Sequence, residues 1–142
     1  MDRTIDDLID DFALLDDWED RYRYVIELGQ SLPDYPENSR DDAHKVNGCV
    51  SQVWLDSSLD EQGADEPVIR FVGDSDAHIV RGLVAIMIIA LSGRTAQEIR
   101  DYDIEAAVRK LGLDEHLTPQ RSNGLRAMID RMKQTAEVQL AS

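Results

Sequence analysis

Cys49 is the residue best suited to covalent chemistry, and it is the only cysteine in a chain of 142 residues. A lone cysteine is most often a small buried hydrophobic residue, and by itself it does not indicate a reactive thiol. Here, however, Gly48 precedes it at a predicted turn, where a side chain can be presented to another protein and the backbone has room to move. Core packing seldom requires such a placement. The context therefore favours a reactive role for Cys49.

Other residue patterns that commonly mark catalytic sites are missing or uninformative. The sequence has no glycine-rich phosphate loop, no nucleophile-elbow serine and no pair of histidines spaced to bind a metal on one helix. His44, His78 and His116 are far apart in sequence. Paired carboxylates are abundant, but in so acidic a chain such pairs are expected by chance, and most belong to a solvated surface. We therefore expect no hydrolase, no nucleotide-binding protein and no metal site.

The charge balance bears on partners and habitat more than on chemistry. The 29 Asp and Glu residues against 15 Lys and Arg give a formal net charge of −14. Such a field repels nucleic acid, whose binding needs a basic face. Only Lys45, Lys110 and Lys133 are lysines, a composition that resembles proteins of salt-loving organisms. The alternative is simply a soluble acidic surface, and both explanations remain open.

Length and apolar pattern predict a single domain over residues 1–142. The first residues carry acids where a secretory signal would need basic ones. The longest apolar run, Leu83 to Leu91, is shorter than the roughly 20 residues that span a bilayer. A single cysteine allows no internal disulfide, which fits a reducing compartment. We therefore expect a cytoplasmic protein that makes no membrane contact.

Two helices are predicted at the start of the chain. Thr4 is a good N-cap, and apolar residues follow at the three-and-four spacing of an amphipathic helix as far as Leu15. Asp16 or Asp17 can cap a second helix that ends at Gly29. The two together suggest a helical hairpin.

Three strands are predicted in the middle of the chain, after a loop with two prolines that ends at residue 42. They cover residues 43–46, 50–57 and 68–72. The first two flank Asn47-Gly48, a pair suited to the positive backbone angles of a tight turn. A polar turn, residues 60–65, separates the second strand from the third. The result is a small antiparallel sheet.

Helices are predicted again in the last part of the chain. Ser75 is expected to cap a helix that is apolar almost all round from Ile79 to Leu91, and such a helix belongs at the centre of the core. Further caps are expected at Thr95, Asp103 and Thr118. The last helix has an apolar face made of Leu125, Met128, Ile129 and Met132. The order predicts an α+β fold, with a small antiparallel three-stranded sheet packed against several helices.

Three blocks of the sequence resemble the SufE family of cysteine desulfuration proteins, the SufE/CsdE-like sulfur acceptors. They are Gly48-Cys49-Val50-Ser51-Gln52-Val53-Trp54, then Gly73-Asp74-Ser75-Asp76-Ala77 with Ile79-Val80-Arg81-Gly82-Leu83, and finally the stretch from His116 to Leu125. The blocks follow in the expected order over nearly the whole chain, which is far more specific than one short motif. The resemblance implies a SufE/IscU-like fold.

The resemblance also implies a function, which is to accept sulfur on Cys49 and pass it on for iron–sulfur cluster assembly. The partner would be a cysteine desulfurase of the SufS or CsdA type, which holds sulfur from free cysteine as a persulfide and uses its own pyridoxal phosphate. Cys49, as thiolate, would attack the outer sulfur atom and displace the desulfurase thiolate, as in thiol–disulfide exchange. A SufBCD-type scaffold or another acceptor would receive the sulfur.

On this interpretation the chain is a sulfur-transfer partner that stimulates the desulfurase, and it is not a stand-alone enzyme. It would need no cofactor of its own. A single thiol is enough for this role, whereas an iron–sulfur scaffold usually needs several cysteine ligands and a disulfide reductase needs a second thiol. The alternative is a noncovalent adaptor or regulator that stimulates a desulfurase through surface contacts, with Cys49 structural.

Gly48, Ser51 and Arg121 are the further candidate residues for the loop and for partner docking. By family resemblance Arg121 lies near the cysteine loop, where it would support the loop or contact the partner. The alternative is an arginine in solvent at a helix end. Gly82 and Gly124 stand where a helix would prefer alanine, so a close backbone contact is expected at each.

The thiolate is the reactive form of cysteine, so some feature should favour it. His44 and Lys45 are candidates by proximity, and the partner's active site is the alternative source of positive charge. At rest we expect Cys49 to point inward, because an exposed persulfide would be lost to stray thiols and oxidants. The expected cover is the apolar face of residues 79–91 with three valines. These are Val46, Val50 and Val53.

Overall fold

The computed structural model describes residues 3–49, 51–61 and 66–141, and this part of the chain confirms the predicted α+β class. The helices are α1 (Ile5–Ala13), α2 (Trp18–Gln30), α3 (His78–Leu91), α4 (Ala96–Asp101), α5 (Ile104–Lys110), α6 (Leu113–His116) and α7 (Pro119–Leu140). The strands are β1 (Val53–Asp60), β2 (Val68–Ser75) and β3 (Arg94–Thr95), and a 3-10 turn spans Glu37–Ser39. None of the described helices has both the length and the apolar composition to cross a membrane.

Most helices begin at the predicted caps because capping is a local interaction between a side chain and the next turn. Thr4 and Thr95 each form a complete capping box with the acidic residue three positions later. Asp17, Asp103 and Thr118 each accept a hydrogen bond from the N–H three residues further on.

Helix α3 is the centre of the core, as its apolar sequence predicts. Ten of its 14 residues are buried. A Cβ atom on Gly82 would lie 2.2 Å from the carbonyl oxygen of Val25, so α2 and α3 approach each other through a position that only glycine can occupy. The close contact predicted at Gly82 is confirmed.

The predicted cap of α3 is wrong. Ser75 ends β2, where it pairs with Val53 of β1, and the N-cap of α3 is Ala77. The Ser75 hydroxyl still accepts a hydrogen bond from the Ala77 N–H at 3.3 Å, so it closes the turn between strand and helix. Strand β2 is therefore longer than the predicted 68–72, because pairing with β1 continues to its last residue.

The sheet is antiparallel with the order β1-β2-β3. Val53 and Leu55 of β1 are buried, which confirms the predicted alternation. The second predicted strand, 50–57, is displaced along the chain: β1 begins at Val53 and ends at Asp60. Residue 50 and residues 62–65 of the predicted polar turn lie outside the described part of the chain.

Residues 43–46 do not form the predicted strand, although Lys45 pairs with β1 across the predicted turn, and the third strand of the sheet is β3. Within the described ranges, the segment pairs with β1 through one isolated bridge, between Lys45 and Trp54, with hydrogen bonds on both sides of it: the Leu55 N–H donates to the His44 carbonyl at 2.9 Å and the Val46 N–H to the Val53 carbonyl at 2.8 Å. The physical reason is a local turn: the N–H groups of His44 and Lys45 donate back to carbonyls three residues earlier, at 3.3 and 3.4 Å. The turn occupies residues 42–44, so only the last residues of the segment pair with β1.

The loop after α2 is tied to the sheet by Arg40. Its Nη2 lies 2.6 Å from the carboxylate of Asp74, its Nε donates to Glu37 at 2.9 Å, and its guanidinium lies 5.2 Å from the centre of the Trp54 ring. Asp74 is buried. The predicted loop thus has a fixed conformation despite its lack of sequence periodicity.

Candidate functional site

Cys49 lies just after a tight turn and before β1. Gly48 has a φ of +95°, in the left-handed region that favours glycine, and this confirms the turn predicted at Asn47-Gly48. Upstream of the turn, the Val46 N–H donates to the carbonyl oxygen of Val53 at 2.8 Å. The loop is therefore fastened to the first residue of β1.

Helix α7 holds this loop from the other side. Arg131 donates through Nη2 to the Ala43 carbonyl at 2.7 Å and through Nη1 to the Lys45 carbonyl at 3.3 Å. A Cβ atom on Gly48 would lie 3.4 Å from the Cβ of Ala127, one turn earlier on the helix. The sequence analysis did not identify Arg131 as an anchor of the loop.

The thiol itself contacts the backbone of α7. The Sγ atom of Cys49 donates a weak hydrogen bond to the carbonyl oxygen of Gly124 at 3.6 Å. A Cβ atom on Gly124 would lie 3.4 Å from Sγ, so the close contact predicted at this glycine is confirmed. Cys49 is half-buried and packs against the hydrophobic core.

The thiol opens onto a cleft of about 230 Å³. Its walls come from the cysteine loop, the start of α3 and the start of α7: Cys49, Ser51, Ile79, Val80, Thr118, Gln120, Arg121 and Gly124. Two of the predicted candidates, Ser51 and Arg121, are thus brought to the same cleft as Cys49. The chain positions of α3 and α7 gave no signal that their first turns meet here.

The predicted cover of the thiol is found in part. Ile79 and Val80 supply the apolar wall expected from the helix of residues 79–91. Val46 and Val53 are buried in the core, and Val50 lies outside the described residues. The nearest cover is the backbone of α7 at Gly124, where a close contact was predicted but without Cys49 as its partner.

Burial raises the pKa of the Cys49 thiol, because a poorly hydrated surrounding disfavours the thiolate. The resting thiol is therefore protonated at neutral pH, which agrees with its role as a hydrogen-bond donor. A protonated thiol is a poor nucleophile. In this geometry the Cys49 thiol is therefore a weak nucleophile.

The prediction that His44 or Lys45 lowers this pKa is wrong for the resting state, since burial alone accounts for the shift. The His44 ring is directed toward carboxylates instead: Nδ1 lies 2.7 Å from Asp41 and Nε2 lies 3.5 Å from Asp56.

In residues 3–49, 51–61 and 66–141, no group of three or more His, Cys, Asp or Glu residues is placed to hold a metal ion.

Arg121 is the cation at the cleft. Its backbone N–H donates to the Thr118 hydroxyl at 3.3 Å, whereas its guanidinium has no ion pair or hydrogen bond within the described part of the chain. The first turn of α7, where Thr118 and Gln120 also line the cleft, carries the positive end of a 22-residue helix. A free guanidinium and a helix N-terminus both favour an anion at this position.

In the comparison with protein families, one family model matches nearly the whole chain. The model of the SufE family, described as an Fe-S metabolism associated domain, matches residues 6–136. An uncharacterised SufE-like protein of Rhizobium meliloti (strain 1021) is 56% identical over 137 residues, covering 96% of this chain and 97% of the relative. An uncharacterised SufE-like protein of Rhizobium etli is 52% identical over 139 residues, covering 98% and 93%.

Comparison with solved structures gives the same fold. The solution structure of a hypothetical protein from Thermus thermophilus superposes with a TM-score of 0.73 and covers 97% of this chain and 96% of its own. The two sequences are 21% identical, so this likeness concerns the fold alone.

Proposed function

The chain belongs to the SufE family, whose domain is associated with Fe–S metabolism, and from this membership we propose that Cys49 accepts a persulfide sulfur from a cysteine desulfurase and passes it on for iron–sulfur cluster assembly. One observation carries the proposal: the only cysteine of the chain faces a cleft beside Gly124 and Arg121.

The cleft is large enough for the transferred atom. Its volume of about 230 Å³ is several times the ~30 Å³ that one water molecule occupies in the liquid. The outer sulfur of a persulfide on Cys49 therefore has room between the loop and the first turns of α3 and α7. Ile79 and Val80 would shield it on one side.

The resting geometry supports a carrier that protects its sulfur. The raised pKa and the hydrogen bond to Gly124 keep the thiol protonated and half-covered. Reactivity toward stray thiols and oxidants follows thiolate character and access, so both features slow side reactions of the free thiol, and the same partial cover would limit access to a persulfide held in the cleft.

Transfer requires the thiol to leave this position and lose its proton. Gly48 gives the backbone of the loop the freedom to swing outward, and a partner that binds the open form more tightly would raise its population. Once the thiol leaves its half-buried position, the burial that raises its pKa is relieved, and a nearby guanidinium such as that of Arg121 would favour the thiolate. The partner's active site would supply further positive charge.

The transfer itself is a displacement at sulfur. The Cys49 thiolate attacks the outer sulfur of the desulfurase persulfide, a new S–S bond forms, the old S–S bond breaks, and the desulfurase cysteine leaves as a thiolate. No net oxidation or reduction occurs. Cys49 then carries the persulfide, and a second displacement of the same kind delivers it to the acceptor.

The proposed partners follow from the family. The donor is a desulfurase of the SufS or CsdA type that contains the pyridoxal phosphate, and the acceptor is a SufBCD-type scaffold or another sulfur acceptor. The proposed compartment is the cytoplasm, because a chain with a single cysteine has no internal disulfide and fits a reducing environment.

A noncovalent adaptor is the second candidate, and the half-buried thiol with its raised pKa favours it, since this is the usual environment of a structural cysteine. Desulfurase turnover, measured as alanine formed from cysteine with and without the chain, separates the two. A carrier stimulates turnover only with Cys49 intact, so Cys49→Ser should lose the stimulation. An adaptor would stimulate equally as Cys49→Ser.

A further inference from the structure

The outer edge of β1 is paired along only the first part of its length. Two hydrogen bonds of 2.8 and 2.9 Å join Val53 and Leu55 to residues 44–46. The chain then turns away at residues 42–44, and no other segment of the described chain pairs with this side of β1. From residue 57 onward β1 is therefore an edge strand, with β2 on its other side.

The backbone groups of two residues point outward along this edge. In an antiparallel pair the hydrogen bonds alternate, so every second residue directs its N–H and C=O to the same side. Val53 and Leu55 use theirs for the outer segment, and the same alternation directs those of Ser57 and Leu59 outward. The Ser57 N–H donates to its neighbour Asp56 at 2.8 Å. The Leu59 N–H and the carbonyls of Ser57 and Leu59 have no partner in the part of the chain that the structure describes, and such an edge is a template for another strand.

A groove, here called the edge groove, follows this edge between β1 and the last turns of α7. Two adjoining cavities of about 210 and 440 Å³ form it, and both are lined by Ser57, Arg131 and Thr135. The groove begins at His44, where the paired segment leaves β1, and it reaches Val138 at its other end. It thus follows the course that a longer strand before the cysteine turn would take.

The core-facing side of the edge groove is apolar. Ile69 and Phe71 are buried residues of β2 that line it, and Ile69 pairs with Leu59 on the same face of the sheet. Leu59 is 47% exposed and Val138 is 58% exposed, and these are two of the four large hydrophobic side chains that are exposed in the described chain. Apolar side chains of an added strand would cover both of them.

The opposite face of β1 is acidic along the same stretch. Asp56 and Asp60 lie on either side of Ser58, because every second residue of a strand points to the same face. Arg70 pairs with Asp60 at 2.7 Å, and the His44 ring lies 3.5 Å from Asp56. The two carboxylates thus outnumber the one permanent positive charge. A basic side chain in an added strand would be favoured opposite them.

Charge also argues against a second copy of this chain as the added strand. Each copy carries a formal net charge of −14, so two copies repel each other. Antiparallel pairing of two β1 strands about Ser58 would place the carboxylates of the two copies opposite each other, and like charges in that position destabilise a sheet. A basic segment of another protein meets neither obstacle.

From these observations we propose that the edge groove binds an extended segment of a partner protein, in which apolar and basic residues alternate, and adds it to β1 as an antiparallel strand. Backbone hydrogen bonds to Ser57 and Leu59 hold the segment. Its apolar side chains cover Leu59 and Val138, and its basic side chains face Asp56 and Asp60. The site does not include the reactive cysteine, so its test is independent of the proposed sulfur transfer.

The test is a titration of the full chain with a hexapeptide of alternating lysine and valine, blocked at both ends and followed by backbone amide NMR. Shifts are expected at residues 56–60 and 134–139. A peptide with three lysines followed by three valines has the same charge without the alternation, and an alternating peptide of glutamate and valine reverses the charge. Each should bind at least about tenfold more weakly. Equal binding of either control would overturn the proposal, as would the absence of shifts at millimolar peptide.

Methylation of the peptide nitrogens tests strand addition itself. Residues opposite each other in an antiparallel pair share a face, so the valines, which face the core, also make the hydrogen bonds to β1. Methyl groups on the valine nitrogens should weaken binding at least about tenfold, whereas methyl groups on the lysine nitrogens should leave it unchanged. Equal affinity of the two methylated peptides would refute the added strand. Sedimentation of the chain alone tests the rival occupant: a dimer that shifts the amides of residues 56–60 would overturn the proposal.

Variants make the test specific to the edge groove. Val138→Ser removes an exposed apolar side chain of its wall, so the fold should be retained and the alternating peptide should bind about tenfold more weakly. Leu14→Ser is the matched control, because Leu14 is also exposed but does not line the groove. It should bind as the unmodified chain does. A melting temperature measured for each variant verifies folding, and unchanged affinity in folded Val138→Ser would contradict the assignment.

Discussion

The Sγ atom of Cys49 lies 3.6 Å from the carbonyl oxygen of Gly124, a residue 75 positions away in sequence. This contact joins the cysteine loop to α7 and places the thiol against bare backbone. It also accounts for a glycine inside a helix, where glycine costs about 1 kcal/mol relative to alanine. A side chain at this position would take up space beside the sulfur.

The variant Gly124→Ala should therefore slow sulfur loading without lowering the stability of the fold. Its new Cβ would lie 3.4 Å from Sγ, an ordinary contact, so the free energy of unfolding should be unchanged or rise by up to about 1 kcal/mol. Persulfide loading should slow, because the methyl group narrows the space for the outer sulfur. Urea unfolding and the rate of loading by a desulfurase measure the two effects.

Gly82→Ala is the matched control, since its Cβ would lie 2.2 Å from the Val25 carbonyl oxygen. Overpacking between α2 and α3 should lower the free energy of unfolding by about 1–3 kcal/mol. The description of the cleft would be wrong if Gly124→Ala destabilised the protein as much as this control. It would also be wrong if the variant accepted sulfur as fast as the unmodified chain.

The rate at which Cys49 is alkylated should depend on pH and on the presence of the partner. Because burial raises its pKa, the thiolate fraction at about pH 8 is smaller than in an unstructured peptide, whose cysteine titrates near 8.5. Alkylation by iodoacetamide should be slower than in the peptide and should continue to accelerate at higher pH. Addition of a desulfurase that lacks its active cysteine should speed the reaction. Labelling of the free chain at the peptide rate would contradict the covered resting state.

Arg121 should contribute to transfer, because its guanidinium lacks a partner at the thiol cleft within the described residues. Loss of one charge-assisted contact predicts about a tenfold lower rate of sulfur loading for Arg121→Gln at limiting desulfurase. The melting temperature should not change. Arg126→Gln on the same helix, at an exposed position outside the cleft, is the control. Equal rates for the two variants would remove Arg121 from the site.

Salt should stabilise the fold. The net charge of −14 produces self-repulsion among exposed carboxylates, and salt screens such charges. The melting temperature should therefore rise between low and molar potassium chloride. A flat or falling melting temperature would argue for an ordinary acidic surface with no adaptation to salt.

The sequence alone was sufficient for features that depend on near neighbours. Caps such as Thr4 and Thr95 act within one turn, and the buried position of α3 follows from a helix that is apolar on all sides. The turn at Gly48 is equally local. These features need no knowledge of which elements meet.

The partners of most distant contacts were not predictable from residue spacing. The acceptor of the thiol hydrogen bond is 75 residues from Cys49, and Arg131 reaches the carbonyl of Ala43 across 88 residues. Residues 43–46 precede the Asn47-Gly48 turn, where a hairpin strand would lie, yet turn hydrogen bonds at His44 and Lys45 limit their pairing with β1 to one bridge. The two-residue strand β3 is too short to leave any periodic pattern.

The central claim is that sulfur is carried on Cys49, and the intact mass of the chain after incubation with a desulfurase and free cysteine tests it most directly. We predict a gain of one sulfur atom that maps to Cys49, that a reductant removes and that Cys49→Ser does not show, since a hydroxyl of similar size cannot form a persulfide. An unchanged mass under conditions in which the desulfurase itself is persulfidated, or the same gain in Cys49→Ser, would contradict the account.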